Sequence, residues 1–216
     1  MKKSLILTFV SVAAMLAAGE QEFIRQELAC GGAVQHFRIN AGKPEDFNRK
    51  PAEAACVQAD NDQDFLYLTV TMKDNDLINE ATKDQLPLRN FGDAVQIFLK
   101  SEKDTYIWEF QTDPAGRKSC FFHYGPGRIF YPEAGTPFPD FSVKNLTGNG
   151  EWQTRIAIPL SIFREKGFKF TNDEKWTIMI VRHNFSRFHD AKESSSYPQV
   201  VGNMYNPAHF GRLILK

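Results

Sequence analysis

The chain has 216 residues, 26 basic and 26 acidic side chains, and 19 phenylalanines. Zero formal charge gives no reason to expect nucleic acid or an anionic lipid surface as a partner. Without its N-terminal leader, this length suits one β-sandwich or barrel domain whose core needs no staples.

Residues 1–19 read as an export signal. Lys2 and Lys3 open it, Leu5 to Leu16 is apolar apart from Thr8 and Ser11, and Ala17, Ala18 and Gly19 offer a cleavage site. The run is shorter than the about 20 apolar residues that span a bilayer. The mature chain is expected to begin near Glu20 and to be secreted, into the periplasm or beyond the cell, with no membrane insertion after cleavage. Residues 20–53 carry little regular pattern and are expected to pack on the domain that follows. Export permits disulfides, and of three cysteines Cys30 and Cys56 are the expected pair. Such a link stabilises by about 3–4 kcal/mol in the chain-entropy model. Cys120 lies in a strand-like run and is expected to be a buried free thiol.

From residue 54 onward, period-two alternation predicts strands with one packed face. In Phe65–Met72, the face is Leu66, Leu68, Val70 and Met72. In Asp93–Lys100 it is Val95, Ile97 and Leu99, and in Tyr106–Thr112 it is Tyr106, Trp108 and Phe110. Glu151–Ile158 aligns Trp152, Thr154, Ile156 and Ile158, Lys175–Asn184 aligns Trp176, Ile178 and Ile180, and His209–Leu215 closes the chain. Asp113-Pro114-Ala115-Gly116 and Gly148-Asn149-Gly150 read as turns. Pro159-Leu160-Ser161 is placed to start one helical turn. Short strands at this spacing predict an all-β, two-sheet antiparallel sandwich over residues 54–216, jelly-roll-like, with one or two helical turns.

Three ordered stretches resemble the family 9 carbohydrate-binding modules and their wider superfamily. The first is Asp64-Phe65-Leu66-Tyr67-Leu68-Thr69-Val70, then Lys73-Asp74, then Gly92-Asp93-Ala94-Val95-Gln96-Ile97-Phe98-Leu99. The second is Tyr106-Ile107-Trp108-Glu109-Phe110, the turn at Asp113, and Trp152-Gln153-Thr154-Arg155-Ile156-Ala157-Ile158-Pro159-Leu160. The third is Trp176, Asn184-Phe185-Ser186-Arg187, Glu193, Tyr197-Pro198 and Phe210-Gly211-Arg212-Leu213. The resemblance implies a sandwich that binds sugars without cleaving them, holding a terminal sugar between two tryptophans and carrying calcium as a structural ion in some members. Here Asn90 and Phe91 stand where the first clamp tryptophan falls, and Met204 and Tyr205 where the second does. Gln96 replaces an acidic sugar-binding residue.

A sugar offers one apolar face and a rim of hydroxyls, so its recognition needs flat rings beside planar polar groups. Phe91, Tyr131 and Tyr205 are the candidate rings, and Gln96, Glu109, Arg89 and Asn90 the candidate polar partners. Gln96 and Glu109 alternate away from the core and share one outer sheet surface, either as sugar contacts or as an ordinary solvated face. The ring-rich loop from His123 to Pro132 is either a binding loop or a cap on the core. Arg182, His183, Asn184 and Arg187 form a polar cluster, in which Arg187 is expected to make a forked hydrogen bond either to a ligand or, as the favoured reading, to Glu193. The tryptophans are expected in the core.

Asp60, Asp62 and Asp64 alternate like calcium ligands, but a helix-loop-helix calcium site also needs Gly and Glu where Phe65 and Thr71 stand. A polar turn before a strand is the favoured reading of that stretch. No nucleophile elbow, zinc-protease motif or phosphate loop is present, and the histidines lack metal-ligand spacing. The leading expectation is thus a secreted, non-catalytic protein whose partner is an oligo- or polysaccharide. The rivals are an interaction domain that has lost the sugar site, and a haem domain using Met72 or Met204 with His183 or His209.

Overall fold

The computed structural model describes residues 26–43, 46–123, 129–130, 139–188 and 192–216. The export signal and Tyr131 lie outside them. The alternation seen in the sequence becomes two stacked sheets. The smaller has five strands: β2 (Gln35–His36), β4 (Ala55–Asn61), β5 (Phe65–Lys73), β10 (Ser142–Gly148) and β11 (Glu151–Pro159), ordered β10-β11-β5-β4-β2 and antiparallel throughout. The larger has nine: β1 (Glu27–Ala29), β3 (Arg38–Ile39), β6 (Ala94–Ser101), β7 (Ile107–Thr112), β8 (Lys118–His123), β9 (Ile129–Phe130), β12 (Trp176–Asn184), β13 (Glu193–Tyr197) and β14 (Gly211–Ile214). Its main order is β1-β14-β12-β6-β7-β8-β9. β13 follows β14 along the same edge of β12, and β3 pairs with β13. The strands of the N-terminal segment therefore enter both sheets rather than merely lying on them. β1 departs from the antiparallel expectation: it runs parallel to β14, with Leu28 opposite Leu213.

Leu66, Leu68, Val70 and Met72 of β5 and Trp152, Ile156 and Ile158 of β11 face Val95, Ile97 and Leu99 of β6, with Trp108, Phe110, Ile178 and Ile180 beside them. All are at most 3% exposed, so the expected packed faces are the observed ones, except that Tyr106 lies outside β7 and is 39% exposed. The helical turn α1 (Ser161–Arg164) plugs one end of the core by burying Ile162 and Phe163. The Phe163 ring sits 4.9 Å from that of Trp176 and 5.1 Å from that of Trp108.

The other end is closed by a buried cation. Arg182 is fully buried on β12. Its guanidinium donates to the carbonyls of Glu53 (2.9 Å) and Lys73 (2.7 Å), to Asp74 Oδ2 (3.1 Å) and to Asn184 Oδ1 (3.0 Å). It thereby bolts the larger sheet to the end of β5. The sequence suggested Arg187 with Glu193 as the ion pair. Instead Arg187 is exposed, with its backbone N–H on Asp76, and Glu193 accepts from the backbone N–H of Ala52.

The cysteines correct a second expectation. Cys30, Cys56 and Cys120 are all free thiols. Cys30 lies in the core beside Ala59, whereas Cys56, three residues back on β4, alternates to the outer side of the smaller sheet. Successive strand residues point to opposite faces, so the two sulfurs diverge. Burial pushes the Cys30 thiol up to about 12. Cys120 is fully buried, as expected.

Candidate functional site

The outer face of the nine-stranded sheet is the unusual surface of this fold. Residues that alternate away from the core normally meet water. Here they are covered. Gln96 is 0% exposed, Glu109 1%, Gln111 1% and His123 1%. Phe98, Ile107, Met179 and Val181 surround them, and the Val200–Phe210 stretch folds over this face with Met204, Tyr205 and Phe210 against it. Tyr205 packs edge-on to Phe98 at 5.3 Å and lies 5.2 Å from the ring of His123.

Strand pairing builds the polar row beneath. Val181 on β12 opposes Gln96 on β6, and Gln96 opposes Gln111 on β7. Gln96 Nε2 donates to Glu109 Oε1 at 2.5 Å. Gln111 Nε2 donates to the same oxygen, and His123 Nε2 bonds the other carboxylate oxygen. His183 completes the row, with Nε2 2.7 Å from Gln96 Oε1 and Nδ1 3.1 Å from Ser194 Oγ. Since the Gln96 oxygen only accepts, His183 carries its proton on Nε2 and accepts from the Ser194 hydroxyl. Burial holds the His183 imidazole well below its usual range, with the cations Lys192 and Arg89 pushing the same way, so it is neutral here.

The rim of the site is a short turn, Leu88–Asn90. Asn90 is exposed, and Arg89 is half-buried with its guanidinium 5.9 Å from the Tyr205 ring and 3.1 Å from Asn90 Oδ1. The backbone N–H of Arg89 reaches Gln111 Oε1 at 3.3 Å, which ties rim to floor. Among the described residues, Arg89 Nε and His123 Nδ1 are buried without a hydrogen-bond partner.

Several of the residues singled out in the sequence thus converge: Arg89, Asn90, Gln96, Glu109 and Tyr205. Phe91 does not join them, because it packs sideways against Ala81, Leu88 and Ala94. Gln111, His123 and His183 belong to the row but were not singled out as ligand contacts. Gln111 was within reach, since it lies two residues from Glu109 on the same strand face.

The remaining metal and cofactor candidates sit elsewhere. Asp62 accepts from the backbone N–H groups of Asp64 and Phe65, both at 2.8 Å, and from the Tyr67 hydroxyl. Asp60 pairs with Lys216 at 2.7 Å. This is the turn chemistry that those residue types favour, and among the described residues no three acidic, His or Cys side chains group as metal ligands. Met72 lies between the sheets while His183 is on the far side of the larger one, so they cannot flank one haem. Among the described residues, no helix is long and apolar enough to cross a membrane.

Solved structures with this architecture include two complexes of a family 9 carbohydrate-binding module from Caldicellulosiruptor kristjanssonii. The glucose complex superposes with a TM-score of 0.59 at 16% identity, over 89% of this chain and 95% of that one. The cellotriose complex gives 0.57 at 17%, over 89% and 93%. The chain has the family 9 carbohydrate-binding module fold. A candidate carbohydrate-binding protein from Bacteroides uniformis shares this module fold, with a TM-score of 0.63 at 16% identity over 95% of this chain and 91% of that one. No protein-family model and no curated protein sequence matches the chain.

Proposed function

We propose that the protein is an exported, non-catalytic module that binds a neutral glycan on the outer face of the nine-stranded sheet, at the rim formed by Arg89, Asn90 and Tyr205. The observation that carries this reading is the polar row Gln96, Glu109, Gln111 and His123, held beneath an aromatic ring on the face that points away from the core. A buried polar network costs stability unless fully satisfied, and here two buried nitrogens, Arg89 Nε and His123 Nδ1, have no partner among the described residues. The Tyr205 ring supplies the apolar surface on which a pyranose stacks, and the Arg89 guanidinium a planar donor for its hydroxyls. Sharing a fold with modules solved with glucose and cellotriose supports the same ligand class.

A second reading draws on the burial itself. With Gln96 and Glu109 covered by the chain's own side chains, the sandwich could be a closed interaction domain. Calorimetric titration and thermal melting of the mature protein with cellotriose and a panel of neutral oligosaccharides separate the two. A sugar at about 100 times its Kd stabilises the fold by about 2.7 kcal/mol, and Tyr205→Ala is expected to weaken its binding about tenfold or more. Silence across the panel, from protein verified as folded, would leave the closed interaction domain standing.

A further inference from the structure

The opposite side of the molecule carries a concavity that the first site does not use. On the outer face of the five-stranded sheet, a groove of about 260 Å³ is lined by Phe65, Tyr67, Ser142, Lys144, Arg155 and Ala157. Its form follows from the register. Ala157 on β11 lies between Ser142 of β10 and Tyr67 of β5. A methyl group between two larger neighbours leaves a notch, and its wall on the β5 side is aromatic, with the Phe65 and Tyr67 rings 5.8 Å apart.

One end of the notch is cationic. Lys144 and Arg155 are directly opposite each other across the β10–β11 ladder, and both are exposed. Like charges in that relation are destabilising, so the sequence tolerates a repulsion at this point. The Arg155 guanidinium lies over the Tyr67 ring at 5.0 Å, which holds it beside the aromatic wall. Among the described residues, neither cation forms an ion pair or a side-chain hydrogen bond. Of the acids near Tyr67, Asp60 pairs with Lys216, and Asp62 accepts from two backbone N–H groups and the Tyr67 hydroxyl. A guanidinium with free donors is a two-pronged receptor for a carboxylate, and an adjacent lysine adds a point charge.

We propose that this groove is a second binding site, for a carboxylate-bearing saccharide. A uronic acid unit lies over Ala157 with its carboxylate across Arg155 and Lys144, its ring against Phe65 and Tyr67, and a hydroxyl on Ser142. The two cations, otherwise in conflict, are reconciled by the bound anion.

Titration calorimetry of the mature protein with trigalacturonate, its methyl ester and acetate tests this. Trigalacturonate is expected to bind, with an affinity that falls as salt rises. The ester and acetate are expected to bind at least tenfold more weakly, and Arg155→Ala and Lys144→Ala each to weaken the acid by about tenfold while Tyr205→Ala leaves it unchanged. Because Arg155 is exposed, the variants should melt like the parent, and Arg155→Lys offers a milder control that keeps the charge but loses the fork. The proposal is overturned by folded protein that ignores trigalacturonate, by equal binding of the ester or of acetate alone, or by trigalacturonate binding that Tyr205→Ala removes and Arg155→Ala does not.

Discussion

Asp93 stands at the entry to β6 with its carboxylate on two backbone N–H groups, that of Ile78 at 2.5 Å and that of Phe185 at 2.8 Å. Burial pushes this carboxyl up to about 7; the two N–H donors and Arg182 pull against that rise, and Asp74 adds to it. The folded chain therefore keeps a proton there that the unfolded chain gives up near pH 4. The stabilisation is complete below about pH 4 and is lost as pH rises through about 7. His183 has the opposite slope. Its folded state resists protonation, so its contribution is present above about 6.5 and is lost as pH falls below that value. Urea unfolding of the wild type and of Asp93→Asn between pH 4 and 8 isolates the first effect. Wild-type stability should fall relative to that of Asp93→Asn as pH rises from about 4 to about 7; a constant difference would mean that Asp93 is ionised in the fold throughout. At this scale the sequence was informative about facing and silent about cover. Alternation put Gln96 and Glu109 on one outer surface. What buries them comes from residues 88–90 and 200–210, and no local pattern announces such distant contacts. Arg182 is similar: it reads as one member of a polar cluster until Glu53 and Asp74 are seen to meet it.

Strands with a strong apolar period were legible almost to the residue. β5, β6, β11 and β12 each begin within one residue of the expected place, because a half-buried strand writes its burial into every second position. β10 and β13 were missed, being Ser-Val-Lys-Asn-Leu-Thr-Gly and Glu-Ser-Ser-Ser-Tyr, where polar residues fill the alternate positions. β2 and β3, two residues each, are too short to show any period. Junctions between elements have their own demands. Gly92 precedes β6 with φ +129°, and a Cβ there would fall 2.1 Å from the Ile78 carbonyl oxygen. Neither an L side chain nor that contact is tolerable, so Gly92→Ala should cost about 2–4 kcal/mol in chemical denaturation. Gly42→Ala is the control, since nothing lies within 4 Å of its added methyl, and it should be close to neutral. Equal effects from the two would show that the Ile78 loop simply moves away.

Both sheets contribute to one continuous apolar interior, with Trp152 on one side and Trp108 and Trp176 on the other. Among the described residues the smaller sheet has no apolar cluster outside this interior, and Arg182 adds a polar bond between the two sheets. Unfolding followed by tryptophan fluorescence and by far-ultraviolet circular dichroism should therefore give coincident midpoints. Two resolved transitions would mean that one sheet survives the other.

The parallel pairing of β1 with β14 has a consequence in time. Glu27 is held by Arg212, close to opposite ends of the sequence. Any process that delivers the chain from its N-terminus, whether synthesis on a ribosome or threading through a pore, releases β1 long before its partner exists. Contacts this remote are slow to form and carry a large loop-closure penalty until the final strand arrives. The β1–β14 ladder is thus the closure that forms late, after the strands between them have been delivered.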